Sequence, residues 1–106
     1  MPKYLVTGSY TAEGARGVLA EGGSGRRAAT AQLIASLGGT MEAYYFAFGS
    51  DDFYIIADMP GNAAVASAGL TASASGAVHT RTIVLITPEE LDAAAKLSPR
   101  YRAPGA

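Results

Sequence analysis

The segment from Tyr44 to Asp58, Tyr-Tyr-Phe-Ala-Phe-Gly-Ser-Asp-Asp-Phe-Tyr-Ile-Ile-Ala-Asp, constrains the fold more than any other part of this chain. Two runs of aromatic and aliphatic residues, 44–48 and 53–57, flank the turn-forming Gly49-Ser50-Asp51-Asp52, a pattern that predicts two β-strands joined by a tight polar turn. Both strands are apolar on both faces. A chain of 106 residues buries roughly 60–70% of its unfolded surface, so its own helices can cover one face of such a sheet only. The second face needs a partner subunit, a ligand or both. Left bare, it would exceed the few hundred Å² of apolar patch that monomers tolerate, and an obligate homo-oligomer, most simply a dimer, is expected.

The other elements follow in order. Residues 3–9 are short and rich in β-formers, which suits a strand. Residues 12–21 are weakly helical, since Gly14 and Gly17 each cost about 1 kcal/mol against alanine. Gly22-Gly23-Ser24-Gly25 breaks the pattern, and Ala29, Leu33, Ile34 and Leu37 then recur at helical spacing from Arg26 until Gly38-Gly39 supplies a stop. After the strand pair, Pro60-Gly61-Asn62 predicts a turn with Asn62 as N-cap of a helix running to about Ser75 and closed by Gly76. Ala63, Ala64, Ala66, Ala68, Gly69 and Ala72 would let that helix approach the sheet closely. Residues 78–86 are β-branched enough for a fourth strand, and Thr87-Pro88-Glu89-Glu90 is a capping box that starts a helix to about Leu97. The resulting class is α+β: a ferredoxin-like β-α-β-β-α-β unit with a four-stranded antiparallel sheet, helices on one face and an extra C-terminal helix. Residues 1–97 form one domain, and 98–106, with Pro99, Pro104 and Gly105, form an irregular tail.

Composition removes several functions. A net charge of −1 gives no basic excess for nucleic acid or an anionic membrane. There is no cysteine, so disulfides, thiolate metal sites and thiol catalysis are absent. No window approaches the ~18 apolar residues of a membrane span, and the N-terminus lacks a signal-peptide core; a cytoplasmic, non-membrane protein is expected. One histidine and no carboxylate facial triad point away from a transition-metal site. Neither a cofactor motif nor a Gly-x-Ser-x-Gly nucleophile elbow is present.

Candidate site residues come from strand alternation. Phe53, Ile55, Ala57 and Met59 share the side assigned to the helices, which leaves Tyr54, Ile56 and Asp58 on the open side. In the fourth strand His79 and Arg81 share a face, but neither side is clean enough to say which. His79 is the natural proton-transfer group at neutral pH and Arg81 could hold an anionic substrate; equally, His79 fits a solvated position on an edge strand. Asp51 and Asp52 suit turn formation better than paired catalysis. Gly22, Gly23, Ser24 and Gly25, followed by Arg26, could cradle an anion on free backbone amides, or could simply be a bend with Ser24 capping the second helix. Six tyrosines in a chain without tryptophan, Tyr44 and Tyr54 among them, suit a pocket or an interface, because tyrosine packs its ring and still offers a hydroxyl.

Along its length, from Pro2-Lys3-Tyr4-Leu5 through Gly38-Gly39, Phe48-Gly49-Ser50-Asp51-Asp52, Asp58-Met59-Pro60 and Thr80-Arg81-Thr82, the chain resembles the bacterial GYD-domain family. The Gly-Tyr-Asp signature is kept in Gly49 and in Asp51 or Asp52, without the tyrosine. The resemblance implies a dimeric α/β-barrel arrangement in which two sheets face each other around a small pocket. Three functions are compatible with these residues: a homo-oligomeric domain binding a small anionic or aromatic metabolite through Tyr44, Tyr54, Asp58 and the glycine segment; a cofactor-free isomerase or monooxygenase using His79 and Arg81; and a ligand-free structural or regulatory oligomer.

Overall fold

A computed structural model describes all 106 residues. Eight elements follow one another: β1 (Lys3–Tyr10), α1 (Ala12–Glu21), α2 (Gly23–Ser36), β2 (Thr40–Phe46), β3 (Phe53–Asp58), α3 (Asn62–Ala74), β4 (Val78–Leu85) and α4 (Pro88–Lys96). The strands form one antiparallel sheet in the order β2-β3-β1-β4, the ferredoxin-like arrangement expected from the element order. No helix is long and apolar enough to cross a membrane.

Alternation along β3 buries Phe53, Ile55 and Ala57, with Met59 just beyond the strand, and these pack with Tyr4, Ile34 and Val65 into the core beneath the helices. α2 lies over β2 and α3 over β4, while α1 reaches β1 and α2. α3 fits closely through Ala64, Ala68, Gly69 and Ala72; Ala63 and Ala66, also expected to face the sheet, are exposed.

Local chemistry explains the boundaries that differ from expectation. Asn62 is the first helical residue rather than the cap, which is Gly61; its side chain instead accepts a hydrogen bond from the Tyr4 hydroxyl at 2.6 Å. Gly22, with φ +83°, ends α1 by donating to the Val18 carbonyl, and α2 resumes at once at Gly23 instead of Arg26. Ser24 therefore sits inside the helix and caps nothing. The bend between two helices is real, but it takes one residue rather than four. β2 begins at Thr40 and stops at Phe46, and a bulge places Glu42 as an extra residue between Met41 and Ala43.

Thr11 caps α1 by accepting from the Gly14 amide at 3.2 Å, and its own hydroxyl donates to the Gly76 carbonyl at 2.9 Å. Gly14 packs against the Ala77 carbonyl so closely that no Cβ fits between them. The start of α1 is thus pinned to the turn that opens β4. The 47–52 turn is tied as firmly at its base, where the Asp52 amide donates to the Gly8 carbonyl at 2.7 Å and the Asp52 carboxylate accepts from the Tyr10 amide at 2.8 Å.

The C-terminal part behaves differently. α4 has the full capping box, Thr87 and Glu90 bonding each other's backbone amides, with Pro88 in its first turn. Yet every residue from Ile86 to Ala106 is exposed, and α4 makes no substantial contact with another element. Residues 98–106 contain no helix or strand.

Candidate functional site

α3 does not close against α1 and α2, and the space left between them above the sheet is a cleft of about 410 Å³. Its floor is apolar, built from Val6, Phe53 and Ile55, and its walls are kept thin by small residues such as Gly17 of α1 and Ala72 of α3. Polar groups gather where β1 and β2 meet the bend between α1 and α2. There the hydroxyls of Tyr10 and Tyr44 lie 3.0 Å apart in a hydrogen bond, and Arg26 Nε stands 3.6 Å from the Glu21 carboxylate.

The tyrosines are held by aromatic packing. Tyr10 lies 5.3 Å from Phe53, centroid to centroid, and Tyr44 lies 5.2 Å from Phe46 and 6.2 Å from Phe53, within the range of favourable ring pairs. Burial, reinforced by the bond to Tyr44, pushes the Tyr10 phenol well above its ordinary range. It therefore stays protonated at physiological pH and serves as a hydrogen-bond donor, not as a general base. An apolar cleft closed at one end by two phenols and a guanidinium can hold a flat hydrophobic body and bond its polar tip.

The opposite face of the sheet carries no helix. Register places Lys3, Leu5 and Thr7 of β1 beside Asp58, Ile56 and Tyr54 of β3 and beside Leu85, Ile83 and Arg81 of β4. Lys3 bridges Glu42 and Asp58, 3.0 Å from each, and the bonds to Asp58 and then Glu42 raise its pKa. At the other end Arg81 pairs with Asp51, which is 5% exposed. That hydrogen bond, helped by the neighbouring Thr7 hydroxyl, holds the Asp51 carboxyl below its usual range. Thr7 is 1% exposed, and its oxygen makes no hydrogen bond of good geometry.

The expected site residues are therefore divided between two faces. Tyr44 and Arg26 line the cleft under the helices. Tyr54, Asp58, His79 and Arg81 lie on the open face, where His79 is exposed opposite Ser9 and shares a side with Arg81 as the spacing required. Asp58 is engaged by Lys3 and Arg81 by Asp51, so neither is a free ligand group. Asp51 is more than a turn former. Of the glycine segment, Gly22 and Gly25 are exposed and Gly23 abuts the Phe46 ring, 3.1 Å from where its Cβ would be; Gly22 alone makes the bend, and Gly23, Ser24 and Gly25 form the first turn of α2, which brings Arg26 to the cleft. Tyr10, one of the six tyrosines, and Glu21, which precedes the glycine segment, complete the cleft, though neither is among the expected site residues. Tyr10 shares strand parity with buried Tyr4, a signal that was available in the sequence.

The family model of the GYD domain matches residues 4–95. The chain belongs to the GYD-domain family. No curated protein and no solved structure matches it. In this GYD domain the signature turn, Gly49 to Asp52, is where Asp51 reaches Arg81 and Asp52 secures β1, so the aspartates join the turn to the two strands beside it.

Proposed function

We propose that this GYD domain binds a small molecule with a flat apolar body and a polar or anionic tip, and that it acts as a self-associating binding module. The observation carrying the first part is the Tyr10–Tyr44 hydroxyl pair set beside Arg26 at one end of an otherwise apolar cleft. A volume of about 410 Å³ falls within the usual range for small-molecule sites, roughly 300–1,000 Å³. One hydroxyl of the phenol pair is spent on the other and Arg26 faces Glu21, and the O–H and guanidinium N–H groups that are left favour a carbonyl or carboxylate oxygen in the ligand. The second part rests on the open sheet face, where Tyr45, Tyr54 and Ile83 are 71%, 39% and 45% exposed.

The cofactor-free enzyme has weaker support, since His79 and Arg81 lie on the face away from the cleft and Arg81 is already paired. The test is titration with 1-anilinonaphthalene-8-sulfonate, an aromatic anion whose fluorescence rises in apolar sites. Saturable binding at one probe per chain is expected, weakened about tenfold by Arg26→Gln and several-fold by Tyr44→Phe, as loss of single charged and neutral hydrogen bonds implies. Absence of saturation, or equal affinity in both variants, would sink the cleft as a binding site.

A further inference from the structure

The molecule exposes two apolar surfaces that it does not cover itself: the open sheet face and the arm that follows β4. The arm is a well-specified element. Its helix is capped at both backbone and side-chain level, and Leu91, Ala94 and Ala95 fall on one stripe, with Leu91 59% and Leu97 72% exposed. A capped amphipathic helix of nine residues is too short to be stable in water alone, so it needs a surface. Its own chain supplies none.

Size gives the same answer. The Cα radius of gyration is 16.9 Å, against about 13 Å for a compact chain of this length. The accessible surface is 7155 Å², whereas a compact monomer of this mass exposes about 5500 Å². The excess is about twice the roughly 800 Å² that each partner contributes to a standard interface.

We infer that α4 of one copy lies on the open sheet face of a second copy, reciprocally, so that the arm is an intersubunit clasp. This rests on the self-association proposed above and names what makes the contact. Charge sets the direction. The helix begins with Glu89, Glu90 and Asp92, ends on Lys96 and is followed by Arg100 and Arg102. At one end of the open face Arg81, although paired with Asp51, is 68% exposed and keeps guanidinium N–H groups for a second carboxylate, and at the other end Lys3 is outnumbered by Glu42 and Asp58. Length agrees as well: nine helical residues span about 13 Å, close to the roughly 13 Å from Arg81 to Leu85 along β4. Placed parallel to the partner's β4, the acidic turn meets Arg81, Leu91 meets Ile83 and Leu5, and the basic end meets Glu42 and Asp58.

The absence of native cysteine makes the contact trappable. Leu91→Cys and Ile83→Cys proteins, carrying tags of different size, are mixed and oxidised, and sedimentation velocity is run on wild type and Leu91→Glu. The expected results are a mixed disulfide linking the two tags and at least a tenfold weaker dimer in Leu91→Glu, with its helix content and melting temperature unchanged in the monomer. Disulfides only between Ile83→Cys copies would mean that sheets face each other directly, and an undiminished Leu91→Glu dimer would mean that the arm contributes nothing; either overturns the clasp and leaves self-association standing. A wild-type monomer at 100 µM would remove self-association itself, and the clasp with it.

Discussion

The two faces of one sheet have been given opposite tasks by the same alternation of side chains. Beneath the helices, Tyr4, Phe53, Ile55 and Met59 are almost wholly buried, and the polar atoms present there are paired with each other. On the open face, apolar and charged residues are interleaved, every large side chain keeps some exposure, and ion pairs stand at both ends. The first is a core with a cleft left in it. The second is a surface, and its ion pairs hold backbone register and charge pattern while its apolar middle stays available. With only 11 of 106 residues buried, the helical face must carry nearly all the stability of the monomer, which makes the contrast measurable.

The largest expected difference lies within β3. Phe53→Ala should cost about 3–5 kcal/mol by removing a buried ring, enough to unfold much of a domain whose total stability is on the order of 5–15 kcal/mol. Tyr54→Ala, one residue on, should cost about 1 kcal/mol or less in the monomer. Urea melts of both variants at low concentration check this, and equal losses would break the contrast. A smaller effect is expected from Tyr4→Phe, about 1–2 kcal/mol, because Asn62 would lose its partner at the start of α3.

Smallest are the titrations, of Asp51 and Lys3 on the open face and of Tyr10 in the cleft. The Asp51 carboxyl is lowered in the folded state, so the stability that it contributes is complete above the ordinary carboxylate range and is lost as pH falls through the folded value. Lys3 and Tyr10 are raised, so their contribution is complete below about pH 10 and fades above it. Asp51→Asn should flatten the acid limb of stability against pH and leave the alkaline limb unchanged. An acid limb unchanged by that substitution would mean that the Asp51–Arg81 pair is screened into insignificance.

How much of this could be read from the sequence depends on the range of the interaction involved. Alternation from Phe53 to Met59 fixed a core face, and Thr87-Pro88-Glu89-Glu90 announced a helix, because both signals are local. Tyr44 was harder. Counting alternate residues from Thr40 would put it on the open face; the bulge at Glu42 inserts one residue and sends it into the cleft. Nothing local reveals that bulge. The partner of Arg81 lies thirty positions away, and no spacing rule finds it. Likewise, Gly22-Gly23-Ser24-Gly25 marks a bend plainly enough, while the count of residues spent on it is decided by how α2 settles on β2. The capping box that made α4 legible carries no information about what the helix packs on.

The strand order has a consequence for how the chain can be assembled. Cut at the exposed turn tip between Gly49 and Ser50, the molecule falls into a half bearing β1 and β2 and a half bearing β3 and β4. In the order β2-β3-β1-β4, each neighbour of every strand comes from the other half. Neither piece can make one native ladder by itself, so the two halves are woven like the teeth of two combs. They should be inert apart and form a sheet only when they meet.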